Sequence, residues 1–219
     1  MEDEFDAMGR KTASIDQAGT RTEYDYDTLG RLTDVRQFLN DATATQTLTT
    51  SYTYDSQGNK LTQTDAEGNT THWTYDSMGR VLSRTLPMGQ TETFEYDASG
   101  NPTSHTDFNG QVTTSDYDPL NRLTTKTYAD GIVETWAYDT AGRVIQTSQT
   151  LDGNAEVTTY AYDARDRLTR EVQPNGSQID YGYDEAGNRT TLTTTVNGAS
   201  RTVNYTFDVL NRLATVTDL

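Results

Sequence analysis

Apolar and polar side chains alternate in short segments of this chain, and each segment ends in the same way. Trp73 and Tyr75 are separated by one polar residue, a turn-forming pair of Asp76 and Gly79 follows, and Val81 comes next. Residues two apart on a strand share a face. The pattern therefore predicts a strand with two aromatic rings on one side, a turn, and an antiparallel return strand that offers an aliphatic side chain.

This pattern repeats along the whole chain. An aromatic residue followed by Asp begins ten copies, at positions 5, 26, 54, 75, 96, 117, 138, 162, 183 and 207. Most copies are 21 residues apart, and the exceptions are 28 or 24 residues apart. We therefore predict one domain over residues 1–219, a single repeat array with no separate second domain.

The Asp and the Gly of each copy indicate a hairpin turn. Asp is favoured at the first position of a type I turn, and a following residue with positive φ completes a common hairpin connection. Where Gly is replaced, the substitutes are Asn or Asp, which best tolerate a left-handed backbone. A catalytic requirement would not predict that set. The predicted turn residues are Asp27, Gly30, Asp55, Gly58, Asp76, Gly79, Asp97, Gly100, Asp118, Asn121, Asp139, Gly142, Asp163, Asp166, Asp184, Gly187, Asp208 and Asn211.

A second turn lies midway through most repeats, as in the segments at 65–69 and 107–111. Between the second and third copies we expect a longer polar loop near residues 39–46, with a short helical turn within 36–46. Loops absorb insertions more readily than strands, so the extra residues of the longer repeats are also assigned to loops. The predicted fold class is all-β: a long antiparallel meander of about 18–20 short strands in a curved or spiralling sheet.

Charge and cysteine content narrow the function classes. The chain has 33 acidic and 17 basic side chains, for a net charge of -16, and no cysteine. An acidic surface disfavours nucleic acid and anionic membranes, and thiolate or disulfide chemistry is excluded. No apolar run is long enough to span a bilayer, and the acidic N-terminus has no signal-peptide pattern. We predict no nucleic-acid partner and no membrane insertion.

The registered motif Y-D-x-x-G-[RN]-[LV] resembles the YD repeat of RHS-repeat proteins, which include bacterial polymorphic toxins, insecticidal toxin complex components and animal teneurins. The resemblance covers residues 5–213. It implies a sheet that spirals into a shell, which in bacterial members encloses a C-terminal toxin domain. The family's self-cleaving terminal core and variable toxin tip have no counterpart here. The resemblance thus implies a non-enzymatic segment of a secreted or cell-surface bacterial protein, with neighbouring shell segments and a toxin domain as partners.

The aromatic ladder supports an alternative function, because exposed rows of aromatic rings can stack on sugar rings. The competing interpretation is that the rings pack on neighbouring strands while the tyrosine hydroxyls stay in contact with water. Exposure of the rings on one face would favour a surface glycan as ligand, and burial would favour the shell. The candidate ligand-binding residues are Trp73, Tyr75, Phe94, Tyr96, Trp136 and Tyr138.

Paired acids and an acid–arginine pair offer candidate chemistry. Two carboxylates such as those of Asp25 and Asp27 can perform glycosidase-type catalysis in a cleft, but one acid of each pair belongs to a recurring turn. Asp76 and Arg80 can act as an anion clamp, or as an exposed cross-turn ion pair that contributes about 0–1 kcal/mol. We favour the turn and the exposed ion pair.

Metal and cofactor sites are not indicated. His72 and His105 have no second ligand at a suitable spacing, and neither the EF-hand nor the calcium β-roll pattern occurs. Weak calcium binding by the regular Asp array remains an alternative. We predict no catalytic residue, no metal and no cofactor. The terminal strands lack proline, and unprotected edges pair readily, so edge-to-edge self-association is a further prediction.

Overall fold

The computed structural model describes residues 2–40, 45–151 and 153–218, and its regular structure within these ranges is entirely β-strand. No helix in these ranges is long and apolar enough to cross a membrane. The twenty strands are β1 (Glu2–Phe5), β2 (Lys11–Ile15), β3 (Arg21–Tyr26), β4 (Leu32–Asn40), β5 (Thr45–Tyr54), β6 (Lys60–Thr64), β7 (Thr70–Tyr75), β8 (Val81–Thr85), β9 (Thr91–Tyr96), β10 (Pro102–Thr106), β11 (Val112–Tyr117), β12 (Leu123–Thr127), β13 (Val133–Tyr138), β14 (Val144–Leu151), β15 (Asn154–Tyr162), β16 (Leu168–Val172), β17 (Gln178–Tyr183), β18 (Arg189–Val196), β19 (Ala199–Phe207) and β20 (Leu213–Asp218).

The strands follow one another as an antiparallel meander and fall into two compact units. One unit comprises Met1–Asp97 and Ser104–Val112, and the other comprises Ala98–Thr103 and Thr113–Leu219. In the first unit each strand from β1 to β9 pairs with the next. In the second unit the same holds from β11 to β20. The predicted all-β meander is confirmed.

The turns that begin at the motif Asp share one backbone geometry, shown here by the turn at 76–80. The Asp76 N–H donates to the Arg80 carbonyl at 2.9 Å, and the Gly79 N–H donates to the Asp76 carbonyl at 3.0 Å. Gly79 has a φ of 78°. The strand register shifts at Tyr75, which pairs with Val81. The result is a type I turn, a left-handed residue and a bulge that re-aims the strand.

Backbone conformation, rather than side-chain chemistry, explains the residues at the Gly position. Asn121, Asp166 and Asn211 occupy this position in three copies, with φ of 60°, 61° and 59°. A left-handed backbone costs other L-residues roughly 1–2 kcal/mol. The substitutes are thus residues that this conformation accepts.

Gly58 allows this backbone requirement to be measured without a clash. Its φ is 95°, and a Cβ placed there meets nothing within 4 Å. Gly58→Val is expected to lower the free energy of unfolding by about 1–2 kcal/mol, and Gly58→Asn by clearly less. Urea titration of both variants measures the difference. Equal losses would show that positive φ is not what the position selects.

Extra residues in two of the long repeats lengthen strands rather than loops, so the loop assignment is wrong there. In the β18–β19 hairpin Val196 pairs with Ala199, and only Asn197 and Gly198 lie between them, with φ of 51° and 80°. This is the two-residue turn typical of tight hairpins. The β14–β15 hairpin also reaches its tip, where Leu151 pairs with Asn154. Added cross-strand pairs satisfy the backbone groups that a loop leaves to water.

The longest repeat behaves in the same way. Residues 36–40 belong to β4 and residues 45–46 to β5, and Asn40 pairs with Thr45. The expected helical turn is therefore wrong for residues 36–40 and 45–46. The expected loop is wrong for residues 39–40 and 45–46, which belong to strands. The remainder of the expected loop, 41–44, lies outside the described residues. The β-branched threonines of β5, at 45, 47, 49, 50 and 53, favour a strand over a helix.

The two faces of the strands carry different side chains. One face bears the aromatic rings, which are mostly half-buried. The other bears paired hydroxyls, such as Thr53 with Thr62 and Thr74 with Ser83, both at 2.6 Å. Among the described residues Ala13 alone is fully buried. Cross-strand pairs, rather than a central core, therefore stabilise the fold.

Candidate functional site

In nine motif turns, the carboxylate of the motif Asp accepts hydrogen bonds from its own turn. In the turn at 76–80, Oδ1 of Asp76 accepts the N–H of Met78 at 2.9 Å and of Arg80 at 3.0 Å. Oδ2 accepts Nε of Arg80 at 2.6 Å. Asp118 has the same three contacts with Leu120 and Arg122. Both carboxylate oxygens are used by the turn itself.

Electrostatics keep these carboxylates ionised. The backbone N–H of Arg80, together with its guanidinium, lowers the pKa of the Asp76 carboxyl. For Asp118 the guanidinium of Arg122 is the main cause of the lowered pKa. A lowered pKa makes a carboxyl a poor general acid, and oxygens already occupied by the turn have little capacity left for a metal. In the part of the chain that the structure describes, no cluster of three His, Cys, Asp or Glu side chains is placed to hold a metal.

Acid is expected to destabilise the protein cumulatively. A carboxyl whose pKa is lower in the folded state contributes stability above its unfolded pKa, and that contribution is lost as pH falls through the folded pKa. The pKa of Asp27, Asp55, Asp139, Asp163 and Asp184 is lowered in this way. Urea titrations at fixed, high salt, which screens the net charge, should show falling stability below about pH 4. Stability that is constant or rising from pH 5 to pH 3 would contradict the expectation.

The arginine of a motif turn reaches into the next repeat. The Arg80 guanidinium lies over the Tyr96 ring, 4.7 Å from its centroid. Its Nη1 donates to the Asp97 carbonyl at 3.2 Å. One side chain therefore joins the Asp of its own turn to the aromatic-Asp pair of the following turn. We call this set of contacts the arginine bridge.

The ring contact of the arginine bridge recurs wherever a described motif arginine is followed by a motif tyrosine. The bond to the next Asp carbonyl is also made by Arg31, Arg122, Arg143 and Arg167. The side chain of Arg80 is 25% exposed, whereas that of Arg212, in the last copy, is 73% exposed. The expected cross-turn ion pair is therefore present, but in the inner copies it is half-buried rather than exposed. The other guanidinium–ring pairs are Arg10–Tyr26, Arg31–Tyr54, Arg122–Tyr138, Arg143–Tyr162 and Arg167–Tyr183, at 4.8, 4.9, 4.4, 4.9 and 4.5 Å.

The motif tyrosine hydroxyl adds a further link between repeats. Tyr96 donates to the carbonyl of Val81 at 3.0 Å, and Tyr138 donates to that of Leu123 at 2.8 Å. The hydroxyl therefore donates to the backbone of the preceding repeat, while its ring stays half-buried. The same bond links Tyr26, Tyr54, Tyr75, Tyr117, Tyr162 and Tyr183 to the preceding repeat.

Asparagine at the arginine position makes shorter links. Asn59 binds Oδ2 of its own Asp55 at 2.8 Å. Asn188 does the same with Asp184 at 2.9 Å, and also donates to Asn211 Oδ1 at 3.0 Å. The amide thus keeps the contact within the turn, and in this second case it still reaches the next turn.

The six candidate glycan-binding residues are all half-buried. Exposed rings would favour sugar binding and buried rings would favour packing, and these rings lie between the two. Four of the ring faces already carry a side chain. Lys60 lies over Trp73 at 4.0 Å, and His105 stacks on Phe94 at 4.6 Å. Arg80 and Arg122 lie over Tyr96 and Tyr138, and the Tyr75 hydroxyl is bonded to the backbone of β6. No covering cation is found on Trp136 among the described residues.

The remaining candidate groups are held by different partners. Asp25 lies 2.5 Å from Arg36 and Asp27 lies 2.6 Å from Arg31, measured between carboxylate oxygen and guanidinium nitrogen. Each of the two carboxylates is therefore paired with its own arginine. His105 has its Nε2 3.3 Å from Glu92 and its ring on Phe94, and His72 is exposed on β7.

Sequence reasoning identified the turn but missed the arginine bridge. A signal was present: Arg80 precedes Tyr96, and Arg122 precedes Tyr138, by the same 16 residues. Such a fixed offset between a cation and a ring is what a repeated contact between neighbouring units produces. The offset becomes visible when neighbouring copies of the motif are compared, and not within a single turn.

Comparison with known proteins identifies a family and a fold. The family model described as RHS Repeat matches residues 54–87, 75–112, 117–155, 138–178 and 162–200, which together span more than half of the chain. No curated protein sequence matches.

Two solved structures that resemble this chain are much longer than it. A crystal structure of TcdB2-TccC3 without its hypervariable C-terminal region has a TM-score of 0.61 and 18% identity, over 95% of this chain and 16% of that chain. A Photorhabdus luminescens Tc holotoxin pore structure has a TM-score of 0.45 and 16% identity, over 98% of this chain and 17% of that one. The first similarity shows the fold, and the second is too low to support an argument.

Proposed function

This chain belongs to the RHS repeat family, and from that premise we propose that it is a structural wall segment that encloses or displays a toxin or effector domain of a larger protein. It acts by holding a sheet together and carries out no catalysis. Its partners are neighbouring wall segments and the enclosed domain. The larger protein is bacterial and is secreted or displayed on the cell surface.

The observation that carries this proposal is how the polar groups of the motif are used. Asp118, Arg122 and Tyr138 of consecutive repeats bond to one another and to the backbone. A catalytic site needs polar groups that are free to meet a substrate. Here they are used to join one repeat to the next, which suits a load-bearing sheet.

The fold similarity supports the same proposal. The similarity covers 95% of this chain but only 16% of the TcdB2-TccC3 chain. This chain therefore corresponds in fold to a small part of that structure. A wall is built from many such parts.

The protein that contains this segment tests the proposal. We expect it to carry further repeats and an effector domain, and we expect the intact protein to shield that domain from an added protease. Release of the domain on unfolding the repeats in urea should remove the protection. An effector domain cleaved as fast in the intact protein as when expressed alone would contradict enclosure or close display.

Glycan binding is a second candidate, centred on Trp136 and Tyr75, whose ring faces carry no cation or stacked ring among the described residues. A sugar would have to displace a side chain from Trp73, Phe94, Tyr96 or Tyr138. Trp136 needs no such displacement. Saturable binding on a glycan array that is lost in Trp136→Ala and kept in Trp73→Ala would support this function, and an empty array would argue against it.

The terminal strand β20 is expected to mediate self-association. All six of its residues are exposed, with Leu213 at 55% and Val216 at 56%. An open, apolar strand edge pairs readily with a strand of another chain, and a lysine on that edge disfavours the pairing. Light scattering over a concentration series should show growing mass for the native chain and a smaller increase for Val216→Lys. A monomer at every concentration would contradict the expectation.

A further inference from the structure

Cations cover most of the aromatic rings on this fold. Guanidinium groups lie 4.4 to 4.9 Å from the centroids of six motif tyrosines, and Lys60 lies 4.0 Å from Trp73. An aromatic face attracts such a cation through its quadrupole. Trp136 differs from Trp73, because no cation lies over its ring among the described residues.

Trp136 instead lines an open groove in the second unit. The groove has a volume of about 430 Å³, within the range of small-ligand sites. Glu134, Gln149 and Glu156 line it beside the indole, and Pro174 closes one wall from the turn after β16. We call it the Trp136 groove. Its lining contains two carboxylates and no basic side chain.

The carboxylates of the Trp136 groove have no cationic partner. Each oxygen of Glu134 accepts one neutral donor, the Tyr128 hydroxyl at 2.9 Å and the Gln149 amide at 3.2 Å. These bonds fix its orientation, and each oxygen can accept a second donor. Lys126 pairs with Glu134 in the strand register, but its Nζ lies over Tyr128 at 4.7 Å. No ion pair reaches Glu134 or Glu156 within the described part of the chain. The groove is thus anionic, aromatic and unneutralised.

We propose that the Trp136 groove binds the guanidinium of an arginine presented by a partner polypeptide. The guanidinium would stack on the indole and donate to the carboxylates of Glu134 and Glu156. This is the arrangement that Arg80 makes internally, where one guanidinium joins a ring and a carboxylate. The proposal does not depend on the wall function, since a binding groove serves a wall or a free-standing array equally.

Charge and shape favour arginine over the other ligands. A planar guanidinium stacks on a ring and donates to two oxygens at once, which a compact ammonium does not. The net charge of -16 favours approach of a basic segment. A neutral sugar would gain the stacking but would leave the charge of the two carboxylates uncompensated.

The two indole N–H signals of the full chain provide a direct test by NMR. Trp73→Phe assigns them, because the chain has two tryptophans. The probe is the capped tripeptide Gly-Arg-Gly, and its matched neutral control replaces arginine with citrulline. The Trp136 signal should shift saturably with the arginine peptide while the Trp73 signal stays in place. Citrulline should bind at least about tenfold more weakly.

Variants separate the groove from general attraction to an acidic surface. Glu134→Gln with Glu156→Gln should weaken binding about tenfold, whereas Glu95→Gln with Glu185→Gln removes the same charge elsewhere and should have little effect. Equal weakening by both pairs, equal binding of citrulline, or no saturable shift at Trp136 would overturn the proposal. Saturable binding of a neutral oligosaccharide at Trp136 without arginine binding would overturn it in favour of the glycan function.

Discussion

Replacing Arg167 with alanine is expected to lower the free energy of unfolding by about 2 kcal/mol. Its guanidinium lies 4.5 Å from the Tyr183 ring centroid. Nη1 donates to the Asp184 carbonyl at 2.9 Å, and Nε donates to Asp163 at 2.7 Å. The substitution removes a cation–ring contact and two charged hydrogen bonds at once. Chemical denaturation of the full chain measures the loss.

Arg170 is the matched control for this prediction. It lies in β16, the strand that begins directly after Arg167. It pairs with Asp180 at 2.6 Å, but its side chain is 53% exposed. An ion pair of that kind contributes at most about 1 kcal/mol. Arg170→Ala should therefore cost clearly less than Arg167→Ala. Equal losses would mean that the arginine bridge adds nothing beyond an ordinary surface pair.

Replacing Tyr138 with alanine should cost more still, about 3 kcal/mol. Its half-buried ring carries the Arg122 guanidinium at 4.4 Å, and its hydroxyl donates to the Leu123 carbonyl at 2.8 Å. Loss of the ring removes apolar contact, exposes Arg122 and leaves the carbonyl without its donor. The midpoint of a urea titration should move accordingly.

Tyr138→Phe separates the hydroxyl from the ring. We expect a loss of about 1 kcal/mol, the usual contribution of one hydrogen bond. The chain itself has phenylalanine at this position in Phe5 and Phe207, which shows that the ring satisfies the motif without the hydroxyl. A loss in Tyr138→Phe as large as in Tyr138→Ala would contradict this division.

The turns were predictable because they depend on local chemistry. The Asp76 carboxylate binds backbone N–H groups within its own turn, and the conformation of Asn121 depends on its own φ. Such interactions span four residues or fewer, so the sequence pattern determines them. The fold class follows, because regularly spaced hairpin turns leave only short strands between them.

The arginine bridge and the long hairpins were not predictable in the same way. Arg80 contacts Tyr96, and that contact depends on the spacing of neighbouring strands rather than on the turn. At the tip of β18 and β19, a loop and a two-residue hairpin were both compatible with the spacing. Cross-strand pairing decided between them, and pairing depends on the partner strand. The Trp136 groove likewise needs Pro174 from another hairpin.

The central claim is that the motif joins one repeat to the next, and a double-mutant cycle between Arg167 and Tyr183 tests it most directly. The cycle compares the unfolding free energies of Arg167→Ala, Tyr183→Ala, the double variant and the native chain. We predict a coupling of about 1 kcal/mol, because either single change already breaks the shared contact. If the losses of the two single variants sum to the loss of the double variant within about 0.3 kcal/mol, the two residues act independently. That result would contradict the claim.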